Sequence, residues 1–235
     1  MKYNFNKEQK RMTKKDDSFL CSKYKMTLKD TIKFELKSLI GYFFLKFRNF
    51  DDFSKQYLNV GCGFHKPDNF LNLDFFNKSI IFKKKMDPEV QHDLRYPLPF
   101  SSNRFNGIFS EHALEHLYPD EAFNLINEIY RCLKIGGTLR LSLPNTEKII
   151  TEYYENNLAD PDLRTRGESV NRLYAWGHKA HYDAEFVIYL LEVIGFEDVK
   201  EINFSQGKDA NLFVEQPLRK QQSFYVEGTK MEKKI

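Results

Sequence analysis

The spacing of hydrophobic positions changes repeatedly along the chain, and each change predicts an element. From Met26 to about Phe50, Leu28, Ile32, Leu36, Leu39, Ile40, Phe43, Phe44 and Phe47 recur every three or four residues, the period of one helical face. Tyr57-Leu58-Asn59-Val60 is a short strand stopped by Gly61-Cys62-Gly63, and Asn69 to Asp74 is a second strand ending in an acid. Phe105 to Ser110 predicts another strand. A helix over Asp120 to Lys134 has Pro119 and two acids at its start, Ala122, Leu125, Ile126, Ile129 and Leu133 on one side, and Gly136-Gly137 beyond its end. Thr138 to Leu143 follows as a strand stopped by Pro144, Asp183 opens a helix closed by Gly195, and Val199 to Phe204 and Ser223 to Val226 are the last strands. Strands alternating with helices predict an α/β fold, a doubly wound and mostly parallel sheet with helices on both faces. The expected organisation is an N-terminal extension over residues 1–50, comprising a polar tail and the amphipathic helix, followed by one domain over 51–235.

Charge sharpens that division. The 235 residues carry 36 basic and 33 acidic side chains, but residues 1–50 hold thirteen of the basic and five of the acidic ones, so the head is +8 and the remainder −5. A broad nucleic-acid-binding face on the main domain is not expected. The helix over 26–50 is expected to pack on the body or on a second subunit in a homodimer, with a basic amphipathic helix resting on an anionic membrane surface as the alternative. Its apolar core is too short to span a bilayer. Cys21, Cys62 and Cys132 are odd in number and never in a CxxC pair, which predicts a reducing, cytoplasmic setting.

The candidate chemistry begins at Gly61-Cys62-Gly63, a side-chain-poor turn at the end of a central strand, where backbone can approach a ligand. A dinucleotide fingerprint needs a third glycine, absent from Gly61-Cys62-Gly63-Phe64-His65-Lys66, and Asp74 comes too early for the usual nicotinamide spacing. Asp74, ending the second strand, offers acceptors to ribose hydroxyls.

Five segments in order, Leu58 to Gly63, Asn72-Leu73-Asp74, His92 to Phe100, Phe105 to Leu117 and Glu128 to Leu143, resemble the class I S-adenosylmethionine-dependent methyltransferases, in particular those of the methyltransferase type 11 kind. The resemblance covers roughly residues 55–230 and implies a seven-stranded Rossmann-like sheet, S-adenosyl-L-methionine as cofactor and S-adenosyl-L-homocysteine as product. It further implies that Asn59, Gly61, Cys62 and Gly63 lie against the methionine part, that Asp74 holds the ribose, and that Asp93 and Leu94 flank the adenine, with Asp93 accepting from its amine. Ser110 would line the pocket floor near the sulfonium. The chain departs from the family where Asn59 replaces the usual acid and His65 the usual third small residue. The His92-Asp93 turn matches a branch often encoded with surface-polysaccharide genes, an analogy that points to a sugar or nucleotide-sugar hydroxyl as acceptor.

Methylating a hydroxyl requires alignment and a base within reach. His112 is the first candidate, then His178, with Glu111 as orienting or alternative base; His116, one helical turn after His112, reads as structural. In related sequences a His and an aromatic before the late helix face the acceptor, so His178, His181, Tyr182 and Trp176 become substrate-side candidates together with His65. Arg164, Arg166 and Arg172 could clamp a diphosphate. Glu111, His112 and His178 could ligate a metal, but no spacing such as HExxH is present and none is expected. The departures at Asn59 and His65 keep a catalytically silent cofactor-binding subunit open as an alternative, alongside protein, lipid or nucleic-acid acceptors. The last is disfavoured because Ser110-Glu111-His112-Ala113 is not the Asn/Asp-Pro-Pro-aromatic sequence of base-methylating enzymes.

Overall fold

The computed structural model describes residues 28–45, 50, 54–75, 85–159 and 172–232. Residues 1–27 and 160–171, with the expected tail and with Arg164 and Arg166, lie outside them, as do the side chains of Arg172 and Trp176. The strands are β1 (Tyr57–Val60), β2 (Phe70–Asp74), β3 (Val90–Gln91), β4 (Phe105–Glu111), β5 (Leu133–Pro144), β6 (Phe196–Ile202) and β7 (Ser223–Lys230), and the helices are α1 (Leu28–Leu45), α2 (Pro119–Cys132), α3 (Thr146–Ala159) and α4 (Ala184–Ile194).

The strands form one sheet in the order β3-β2-β1-β4-β5-β7-β6. The five from β3 to β5 run parallel, while β7 enters antiparallel between β5 and β6. The order reverses between β1 and β4, so the crevice at the carboxyl ends of those strands is where such a sheet receives a ligand. The predicted α/β sheet is present, and its glycine turn lies at the carboxyl end of β1.

On one face, Leu58, Val60, Leu71, Leu73 and Ile108 pack against Ala122, Leu125, Ile126 and Ile129 of α2 and Val187 and Leu191 of α4. The other holds a smaller cluster of Phe70, Phe109 and Leu212. α2 starts at Pro119, with Glu121 Oε2 accepting from Tyr118 N at 2.9 Å. It ends two residues earlier than its apolar spacing predicts, because Leu133 turns extended and pairs with Phe105, starting β5. α4 matches its expectation at both ends: Asp183 Oδ1 accepts from Phe186 N at 2.7 Å, and Gly195 takes a left-handed φ of 112°. α3 was not expected. Asn145 Oδ1 accepts from Lys148 N at 2.8 Å to start it, while Ile150 and Tyr154 stay exposed, so its apolar pattern is weak.

α1 forms as predicted but docks by its polar side. Glu35 makes two 2.9 Å bonds with Arg95, Ser38 is buried against Asp93, and Tyr42 stacks on Tyr96 at 4.4 Å. Leu28, Ile32, Leu36, Leu39, Ile40, Phe43 and Phe44 are all exposed. No described helix is long and apolar enough to cross a membrane.

Candidate functional site

The turn after β1 is built from main-chain bonds. Gly61 N and Cys62 N both donate to Leu73 O, at 2.9 and 3.0 Å, and Gly63 N donates to Asp74 Oδ2 at 2.9 Å. Gly61 is obligatory twice over: its φ is +70°, and a Cβ there would stand 2.4 Å from Ala113 Cβ. Gly63, at φ +54°, faces open space, so the turn leaves room beside the Asp74 carboxylate. Asn59 is buried, and its Nδ2 donates to His65 O at 2.8 Å and Asn72 Oδ1 at 3.0 Å. A carboxylate at this position could donate neither bond. The Cys62 thiol stays protonated, pushed up to about 12 by burial and by the charge of Asp74. His65 turns its ring to the Val214 carbonyl.

Asp93 lies in the turn after β3. Burial opposes its ionisation, but hydrogen bonds from Arg95 and Ser38 outweigh that and hold it below the usual carboxylate range. Arg95 donates to it from N, Nε and Nη2 at 2.8–3.1 Å. Leu94 Cδ1 comes within 3.8 Å of a Cβ built on Gly61, closing that side of the turn.

The carboxyl end of β4 holds the titratable cluster. Ser110 is buried at its end. Glu111 accepts from Gln216 Nε2 at 2.9 Å and Gln216 N at 3.2 Å, and burial raises its pKa. His112 sits at a φ of +51°, an uncommon conformation for a non-glycine residue. Its Nε2 is 2.7 Å from Ser223 Oγ and its Nδ1 3.5 Å from Glu115 Oε1. Burial first, then nearby Arg219, His178 and His116, push it down to about 3. The His178 ring is pushed down to about 4 by burial and by His116 and His181, and its Nε2 lies 3.9 Å from the same Glu115 oxygen. Main-chain bonds deliver it there: Glu115 O accepts from Lys179 N at 2.7 Å and Ala180 N at 3.2 Å. The His116 ring stands edge-on to His178 at 5.1 Å, and His181 at 6.2 Å. Tyr182 Oη is buried without a hydrogen-bond partner, its pKa raised to about 12 by burial and the charge of Glu115.

The structure thus brings His112, His178, His181 and Tyr182 together, with Glu111 turned away toward Gln216. At the centre is Glu115, which the sequence reading did not single out: it is buried, and burial raises it to about 8. The only signal for it was its position beside His116, four residues after Glu111, in a turn that reads as ordinary loop. Gln216, Arg219 and Ser223 were also missed; they come from the far end of the chain and reach β4 only through the fold.

Sheet order, glycine turn and strand-ending acid define a Rossmann-like fold of the class I methyltransferase type. Residues 58–141, a span running from β1 into β5, match the protein family described as methyltransferase domain. That match supports a methyltransferase using S-adenosylmethionine as methyl donor. Among solved structures, the chain is similar to a SAM-dependent methyltransferase from Archaeoglobus fulgidus, at 17% identity over 83% of this chain and 94% of that one with a TM-score of 0.49. It is also similar to phosphoethanolamine N-methyltransferase 2 of Haemonchus contortus (13%, 83% and 53%, TM-score 0.44) and to a SAM-dependent methyltransferase from Methanosarcina mazei (17%, 75% and 92%, TM-score 0.44). No curated protein matches the chain.

Proposed function

We propose that this chain is an O-methyltransferase that carries the methyl group of S-adenosylmethionine to a hydroxyl of a sugar or nucleotide-activated sugar. Open space at Gly63, beside the Asp74 carboxylate, fits the cofactor: Asp74 would hold its ribose and the Gly61–Gly63 turn its methionine part. Bound there, the cofactor supplies an electrophilic methyl on a sulfonium.

The observation that carries the hydroxyl reading is His112, an unprotonated ring at the end of β4, beside the turn. An acceptor hydroxyl that takes up that methyl group becomes strongly acidic, and the lone pair of the His112 ring would receive its proton. A late transfer of this kind needs positioning more than basicity, so a ring whose pKa is about 3 serves. Ser223 Oγ, 2.7 Å from Nε2, marks where a hydroxyl can hydrogen-bond this imidazole. His178 and Tyr182 stand on the acceptor side.

The test is incubation with S-adenosylmethionine and a panel of nucleotide-activated sugars, reading product mass for one added methyl group. Turnover should fall in His112→Ala at least 100-fold with cofactor affinity nearly intact, the usual worth of a positioned base. Full turnover in that variant removes His112 as base, and cofactor binding without any product points to the silent-subunit alternative.

A further inference from the structure

We propose that Glu115, His116 and His178 form a divalent transition-metal site, with zinc as the best-fitting ion. One ligand atom from each of the three lies within 4.8 Å of the others, His178 Nε2 being 3.9 Å from Glu115 Oε1. Around a tetrahedral zinc with bonds of about 2.0–2.1 Å, neighbouring ligand atoms stand roughly 3.3 Å apart, a shortening from the 3.9 Å of the Glu115–His178 pair that side-chain adjustment would supply.

The independent sign of a missing cation is the carboxyl of Glu115. It is 1% exposed, and neither oxygen has a hydrogen-bond partner. Buried polar groups are nearly always satisfied, and an unsatisfied carboxyl facing two imidazoles is what a metal would satisfy. The backbone of Gly177 lies beside the His116 ring and that of Leu173 beside the His178 ring, where main-chain groups could orient them as ligands. Two imidazoles and one carboxylate suit zinc, cobalt or iron better than the oxygen-seeking calcium or magnesium. The site stands whether or not the acceptor is a sugar.

To test it, the full chain, purified without an affinity tag and stripped with a chelator, is titrated with Co²⁺ and then Zn²⁺. The expected result is one Co²⁺ per chain with the intense visible bands of low-coordinate cobalt, displaced by Zn²⁺. Glu115→Gln and His178→Gln should each weaken binding more than 10-fold, while Glu197→Gln on β6 should not. Binding that is not one-to-one, a six-coordinate cobalt spectrum, or wild-type affinity in both site variants overturns the proposal; should a variant fail to fold, the wild-type stoichiometry and spectrum decide alone.

Discussion

Asp74→Asn is the sharpest test of where the cofactor sits. The amide oxygen of Asn can still accept from Gly63 N, the 2.9 Å bond that ties the glycine turn to β2, so the turn survives. What disappears is the charge, and with it the second acceptor oxygen that a ribose diol would use. A hydrogen bond to a charged group contributes about 1.5–3 kcal/mol, and a loss of about 2–2.7 kcal/mol within that range weakens the cofactor roughly 30- to 100-fold. With S-adenosylhomocysteine at about 100 times the wild-type Kd, the wild type gains about 2.7 kcal/mol and the variant less than about 1 kcal/mol. For a domain of this size each kcal/mol moves Tm by about 2–4 °C, so the ligand-induced shift should fall from roughly 5–10 °C to about 1–3 °C. Differential scanning fluorimetry with and without the ligand reads this directly. An unchanged shift in Asp74→Asn, with unliganded Tm near that of the wild type, would take Asp74 out of the site.

Two further outcomes concern the frame. Arg140 is wholly buried, with Nε donating to Glu215 Oε1 at 2.7 Å and Nη1 to Glu227 Oε1 at 2.6 Å, and its guanidinium also reaches the Gln206 and Asn203 carbonyls. Arg140→Met strands two buried carboxylates and should cost about 3–5 kcal/mol in urea unfolding, with Glu215→Gln added to it restoring part of the loss; a cost below about 1 kcal/mol contradicts the burial. The second concerns pH: His92, His112, His116, His178 and His181 are all held below the ordinary histidine value, primarily by burial. Below about 6.5 the unfolded chain takes up protons that the folded one refuses, so stability falls with falling pH. Glu111 and Glu115, raised by burial, act oppositely but are outnumbered. The metal-free chain should therefore melt lower at pH 5.5 than at pH 7.5, and an equal or higher Tm at pH 5.5 refutes the reasoning.

What was legible in the chain follows from how local each signal is. The glycine turn and Asp74 are decided within a few residues, by left-handed backbone and by an acid ending an apolar run, and the structure joins them by a single bond. Thr138, Arg140 and Ser142 alternate with Leu139, Leu141 and Leu143, which reads as a half-exposed strand; in the fold both sets are buried. Arg140 of the polar set is covered by the segment around residues 203–216, some seventy residues away, and no local pattern announces that. Glu115 is hidden for the same reason. Its burial depends on His178 and Tyr182 being brought over it by the loop before α4.

α1 shows why a helical stripe predicts an element better than it predicts an orientation. The period of Leu28 to Phe44 is satisfied by any apolar surface, whereas the opposite side carries a specific match, Glu35 and Ser38 to the Arg95–Asp93 pair. In the isolated chain the specific match prevails, although its contributions are modest: partly exposed ion pairs give about 0–1 kcal/mol each, and the ring contacts of Tyr42 with Tyr96 and of Phe34 with Phe75 about 0.5–1.5 kcal/mol each. A helix of 18 residues is only marginally stable by itself, so this docking and its formation are one event. The consequence falls on Asp93. Its carboxylate accepts from Arg95 and from Ser38 on α1, outside the span matched by the methyltransferase family, and an adenine amine reaching the same oxygens must compete with donors already in place.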